Sequence, residues 1–304
     1  MKKLLSGFLA IMLACTLTAC GKETHELQIG QVLGAAHGTK CFTVTTVVVE
    51  GDTIVDVNID EFQYMDSTTT TGVPNSENFP TAEGYHLVSK VENNETYSAN
   101  MSSKGGATME IAAGYKAIED FCIGKTAADL EGVDAVSGAT LVDTAGYVAE
   151  VAKAAKAAAA TEAVTYEGKI EAGNLKVVLG AAHGTKCFTM TAAYAVEGTV
   201  VLSYIDEFQY MDPATTTGVP NAENFASYVT NGTHLVSKRV NNETYSANMA
   251  TKGGATMKLA DGYDLIQDFC NGSAVADLEG VDAVSGCTLV DTAGYIAEIA
   301  KAAK

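Results

Sequence analysis

The strongest patterning in the chain is CFTVTTVVV, residues 41–49, where Thr and apolar β-branched residues run almost unbroken. Such a run is strand-forming. Glu50-Gly51-Asp52 follows as a turn signal, and Ile54, Val55, Val57 and Ile59 open a second strand. Together they predict a hairpin. Residues 63–85, rich in Thr, Asn, Gly and Pro, read as a long ordered loop. Ala113 to Cys122 reads as a short helix. Leu141, Ala145, Val148, Ala152 and Ala155 recur at helical spacing, so a final helix is expected to start at Ser137-Gly138-Ala139-Thr140. The class is α+β, with a small, mostly antiparallel sheet and packed helices.

The pattern is written twice. LGAAHGTKCFT at 33–43 returns at 179–189, DEFQYMD at 60–66 at 206–212, and TTTGVPN at 69–75 at 215–221. NNETYSANM at 93–101 returns at 241–249, and DLEGVDAVSG at 129–138 at 277–286, after a two-residue insertion near Ser227 to Gly232. The period is too long for a solenoid, so the chain reads as two tandem copies of one domain, 28–156 and 173–304. Residues 157–172 form a short linker with room for one strand. It is neither long nor Pro-rich, so the copies are expected to lie close together.

The N-terminus belongs outside this fold. Met1-Lys2-Lys3 is basic, Leu4 to Thr16 is apolar but too short to span a bilayer, and Leu17-Thr18-Ala19-Cys20 closes the segment. The segment reads as a secretory signal, and its Leu17-Thr18-Ala19-Cys20 ending resembles the bacterial lipobox, which implies that residues 1–19 are a lipoprotein signal peptide, with lipid attached at Cys20, and 20–27 a lipidated tether. About 285 residues remain, enough for two ordinary cores. A net charge of −18 argues against nucleic acid and against electrostatic binding to anionic lipid. The lipid on Cys20 would have to be the anchor, at the extracytoplasmic face of the cell membrane.

Asp134-x-x-Ser137-Gly138-Ala139-Thr140, repeated as Asp282-x-x-Ser285-Gly286-Cys287-Thr288, combines a glycine turn with hydroxyls that could cap the following helix. A helix N-terminus at this point would suit a phosphate. The phrase resembles the target motif of the FMN-binding domain family. With EGDTIVDVNID, the GVPN loop and SKxxNNETYSANM, nearly all of the mature chain resembles the two-domain, flavin-carrying surface lipoproteins of Gram-positive extracellular electron transfer.

The resemblance implies FMN joined by a flavin transferase, through a phosphoester, to Thr140 and to Thr288. Asp134 and Asp282 would be the acid that the transferase needs. Ser137, Gly138, Ser285 and Gly286 would shape the turn, with Ala139 and Cys287 as the small residues inside it. Around the ring the family places the loop after the second strand. Here that is Gln63, Tyr64, Gly72, Val73 and Pro74, with Gln209, Tyr210, Gly218, Val219 and Pro220 in the second copy. The YSANM run adds Tyr97, Asn100 and Met101, and Tyr245, Asn248 and Met249. Each of these is equally readable as a core or turn residue.

His37 and His183, and His86 and His234, are scattered singly, with no CxxC, HxxxH or CxxCH, so no metal or haem is expected. Cys41 and Cys122, with Cys187 and Cys270, could form one disulfide per copy or remain buried thiols. Catalytic residues are not expected. The implied function is electron relay from a membrane quinone-linked or NADH dehydrogenase donor to ferric iron or soluble shuttles. Two alternatives stand beside it: a non-redox surface binding lipoprotein on the same fold, and a subunit that donates electrons to a secreted reductase.

Overall fold

The computed structural model describes residues 23–304. The signal segment and Cys20 lie outside the described residues. The first half opens with β1 (Thr24–Gly34), β2 (Cys41–Glu50), β3 (Thr53–Asp66) and β4 (Tyr85–Ser89). It continues with α1 (Asn94–Gly105), α2 (Ile111–Cys122) and α3 (Thr144–Ala158). After β5 (Val164–Glu167) the order repeats as β6 (Leu175–Gly180), β7 (Cys187–Val196), β8 (Thr199–Met211) and β9 (His234–Ser237). The helices α4 (Asn242–Gly253), α5 (Leu259–Cys270) and α6 (Thr292–Ala302) complete it. The sheets run β4-β3-β2-β1-β5 and β6-β7-β8-β9, with all neighbours antiparallel. The α+β class is therefore present as two antiparallel sheets.

The layers are helices, sheet, sheet, helices. On β2, Phe42, Val44 and Val48 point to the space between the sheets, while Val47 and Val49 meet Tyr115, Ile118, Val148 and Val151 under the helices. All of β2 except Glu50 is buried. That double burial is why CFTVTTVVV reads as a continuous run: a strand covered on one face alternates, and a strand covered on both does not. A second layer of Leu27, Ile29, Leu175, Tyr194 and Leu202 extends the seam between the sheets.

Several elements differ from the sequence expectation. The strand β1 starts at Thr24, inside the stretch read as tether. The strand β5, inside the linker, adds to β1 from Thr24↔Glu167 to Leu27↔Val164. The start of the second half, just past the linker, is held by the Asp56 carboxylate, which accepts from the Gly173 and Leu175 amides at 2.8 Å each. The loop at 63–85 is shorter than expected, because β3 runs to Asp66 and β4 begins at Tyr85. NNETYSANM forms α1 despite its polar composition. Among the described residues no helix is long and apolar enough to cross a membrane.

The final helix begins at Thr144, not at Ser137-Thr140 as the spacing suggested, and Asp143 is its N-cap. Leu141 is pulled aside to pack on α2, where a Cβ on Gly114 would stand 2.8 Å from the Leu141 Cγ. The apolar spacing at Leu141 thus records contact with α2, not an earlier helical turn.

Only the end of β3 pairs with β4, from Phe62 to Asp66, and helices cover the rest of that edge. Glu119 on α2 accepts the Ile59 amide at 2.8 Å, and Gln267 on α5 accepts the Ile205 amide at 2.9 Å. Burial pushes the Glu119 carboxyl up to about 7, only partly offset by that amide. The folded state therefore holds the proton more tightly than the unfolded chain does. This stability is complete below the ordinary carboxyl range and is lost as pH rises through about 7. Glu119→Gln should match the parent near pH 5 and exceed it near pH 8 by roughly 1–3 kcal/mol in urea unfolding. Equal stability at both values would show that Glu119 is ionised without cost.

Candidate functional site

Each half has a cavity between its helices and the histidine-bearing loop ahead of its second strand. The first, of about 290 Å³, is walled by His37, Tyr97, Met101, Thr140, Leu141 and Val142, with Lys90, Ile111 and Tyr147 deeper in. Gly105 to Thr108 close it at the end of α1. There Gly106 takes φ 67° and caps the helix through the Ser102 carbonyl. The second, of about 330 Å³, repeats this with His183, Tyr245, Met249, Thr288, Leu289 and Val290, over Glu207, Lys238 and Tyr295.

The floor is a buried ion pair. Lys90 and Glu61 are both 0% exposed and bonded to each other. Glu61 also accepts from the hydroxyls of Tyr147 at 3.2 Å, Thr43 at 3.3 Å and Tyr115 at 3.4 Å. The Lys90 ammonium lies 4.4 Å from the centre of the Tyr97 ring. Burial alone would lower the Lys90 pKa, but the adjoining Glu61 carboxylate outweighs it and raises it, so the ammonium keeps its proton. In the second half Lys238 pairs with Glu207, the hydroxyls of Tyr263 and Tyr295 reach that carboxylate at 3.3 Å each, and Lys238 lies 4.4 Å from the centre of the Tyr245 ring.

The wall is fixed by the helix beneath it. His37 bonds Asp143, the N-cap of α3, at 2.5 Å, and His183 bonds Asp291 at 2.5 Å. Gly146 explains why the helix can come so close: a Cβ there would stand 2.2 Å from the Ala36 carbonyl oxygen. The same approach recurs at Gly294 and Ala182, at 2.3 Å. Behind the wall, Cys41 donates to the His37 carbonyl at 2.7 Å, and burial, reinforced by the Glu61 carboxylate, pushes its thiol up to about 12. Cys122, Cys187 and Cys270 are likewise buried free thiols, each raised to about 12. Of the two states left open by the sequence, the thiol is the one present.

The motif residues divide. Thr140 and Thr288 are exposed and line the cavities. Ser137 and Gly138, with Ser285 and Gly286, form the turn before them. Gly138 and Gly286 take φ 88° and 83°, conformations that favour glycine. Ala139 and Cys287 point inward against the helical cores. The Ala139 amide bonds the Val136 carbonyl at 3.1 Å and the Cys287 amide bonds the Val284 carbonyl at 3.0 Å, so cysteine leaves the turn unchanged. Asp134 and Asp282 are exposed and border separate hollows against the outer faces of α3 and α6.

Of the other candidates, Tyr97, Met101, Tyr245 and Met249 are in the cavity walls, whereas Asn100 and Asn248 are not among the lining residues. Gln63 pairs with Cys41 and Val88 in the sheet, and Gln209 accepts from the Tyr245 hydroxyl at 3.5 Å. Tyr64 and Tyr210 lie between the sheets, their hydroxyls 2.6 Å apart. Gly72, Val73 and Pro74 do not line the first cavity. Gly218, Val219 and Pro220 border a different hollow beside Phe225 and His234. Sequence reading passed over Lys90, Lys238 and Val142. The lysines sit in polar runs that read as solvated surface, and only the fold buries them.

Lys90→Met would strand the Glu61 carboxylate and should destabilise the protein by about 3–5 kcal/mol. Adding Glu61→Gln should recover part of that loss in chemical unfolding. A double variant as unstable as Lys90→Met would show that the two groups act separately. Models of known protein families, curated proteins and solved structures were compared with this chain, and none matches it.

Proposed function

We propose that the chain is a lipid-anchored, extracytoplasmic flavoprotein of two duplicated FMN-binding domains, with FMN held as a phosphoester on Thr140 and on Thr288. It relays electrons from a quinone-linked or NADH dehydrogenase donor at the membrane to extracellular acceptors such as ferric iron or soluble shuttles. The observation that carries this reading is a repeated juxtaposition. In both halves an exposed threonine stands on the rim of a cavity that also holds an aromatic ring, a methionine and a buried lysine.

The residues suit such a group. Tyr97 and Met101 offer apolar and polarisable surface to a planar ring. Val142 and Val290 are 93% and 92% exposed beside the threonines, apolar side chains with room for a ligand against them. Lys90 and Lys238 under the cavities are each balanced by a buried carboxylate, Glu61 or Glu207, so the floor is polar and close to neutral. His37 and His183 supply polar edges. The exposed Asp134 and Asp282 are open to a modifying flavin transferase. FMN, once attached, would supply acceptance of two electrons and their release one at a time, and the protein would supply position and electrostatics.

Intact mass and peptide mapping of protein from its native membrane test this. Two additions, each the mass of FMN less one water, are expected on Thr140 and Thr288. An addition on Thr140 alone would limit the cofactor to the first half. No addition would overturn the redox reading in favour of a binding lipoprotein.

A further inference from the structure

The tip of each GVPN loop is set into the opposite half. Asn75 and Asn221 occupy φ 65° and 66°, a left-handed conformation that few residues other than Gly and Asn adopt. The Asn75 side-chain amide donates to the carbonyls of Gly184 at 3.0 Å and Cys187 at 2.7 Å. The Asn221 amide donates to those of Gly38 at 3.1 Å and Cys41 at 2.7 Å. Both protons of one amide are thus committed to two carbonyls that bracket a short loop. That loop follows His183 in one half and His37 in the other, and these histidines form cavity wall.

Each half supplies the remaining restraints on its own loop. In the second half the Cys187 thiol donates to the His183 carbonyl at 2.7 Å, and the Ala182 amide donates to the Thr189 hydroxyl at 3.1 Å. The Asn75 side chain supplies the restraint from across the seam. Its loop is itself rigid: the Val73 amide donates to the Leu87 carbonyl at 2.9 Å, and the Thr71 amide to the Asn93 side chain at 2.7 Å.

We propose that each cavity is a joint product of both halves: Asn75 is a positioning residue for the cavity beside Thr288, and Asn221 for the cavity beside Thr140. Neither half then forms a complete site alone. Where the cavities take FMN, a point that rests on the function proposed above, each asparagine governs loading of the threonine in the other half.

Asn75→Gly and Asn221→Gly in the full chain test this, because glycine keeps the left-handed backbone and removes only the amide. Alkylation of Cys41 and Cys187 in the folded protein is followed by peptide mass. Asn75→Gly should speed modification of Cys187 at least about tenfold and leave Cys41 unchanged, with the reverse for Asn221→Gly. Equal acceleration at both thiols, acceleration in the loop's own half, or none would overturn the proposal. In flavin-bearing protein, Asn75→Gly should also lower FMN on Thr288 and leave Thr140 fully loaded. Loss on both, or on Thr140 alone, would overturn it as well. If the parent carries no flavin, the functional reading fails, and the thiol rates still decide the role of the asparagines.

Discussion

Phe42 and Phe62 from one sheet meet Phe188 and Phe208 from the other in a continuous aromatic layer. Ring centres are 5.2 Å and 5.0 Å apart within each sheet, and 6.2 Å and 6.1 Å apart across the seam. This layer is what lets the two halves exist as they do. A sheet with helices on one face still has a second apolar face to bury, and here each sheet buries it on the other. The edges of the seam are tied as well, through the Tyr64–Tyr210 hydroxyl pair and backbone bonds from Ala82 to Tyr228 and from Thr230 to Pro80.

The seam also organises the cavities on the outer sides. The strand β3 carries Phe62 into the seam and Glu61, its neighbour, toward the helices, because successive side chains point to opposite faces. Glu61 there meets Lys90 from the end of β4 and the hydroxyls of Tyr115 and Tyr147 from α2 and α3. One strand thus anchors both the interface and the floor of the site. Buried charges are tolerated at that point only because each is paired and bonded.

The two halves are not identical in their electrostatics. Arg239 stands where the first half has Val91. Its guanidinium lies 4.7 Å from the centre of the Tyr204 ring and bonds Asp264 and Gln267. Gln267 does neutrally what Glu119 does with a proton held by burial. Cys287 replaces Ala139 without disturbing the turn, because its side chain points into the core. The two halves therefore share their backbone geometry and differ in the charges behind it.

The sequence by itself determined the repeat, the β2–β3 hairpin, the helix near Cys122 and the threonine turn, because each is encoded locally. A β-branched run, a Gly turn and apolar spacing act through neighbouring backbone and need no distant partner. The cavity membership of Tyr97 and Met101 was legible only through the resemblance, since α1 has little apolar patterning of its own. Tertiary structure alone decided the rest. Lys90 became buried because Glu61, some thirty residues earlier, offered it a charge. The final helix began late because Leu141 found space over Gly114. Tyr64, Tyr210 and the GVPN loops face the opposite half, a direction that no local pattern specifies. Whether a residue lies on a site, in a core or across a seam depends on what packs against it, and that is fixed only when the two sheets close on each other.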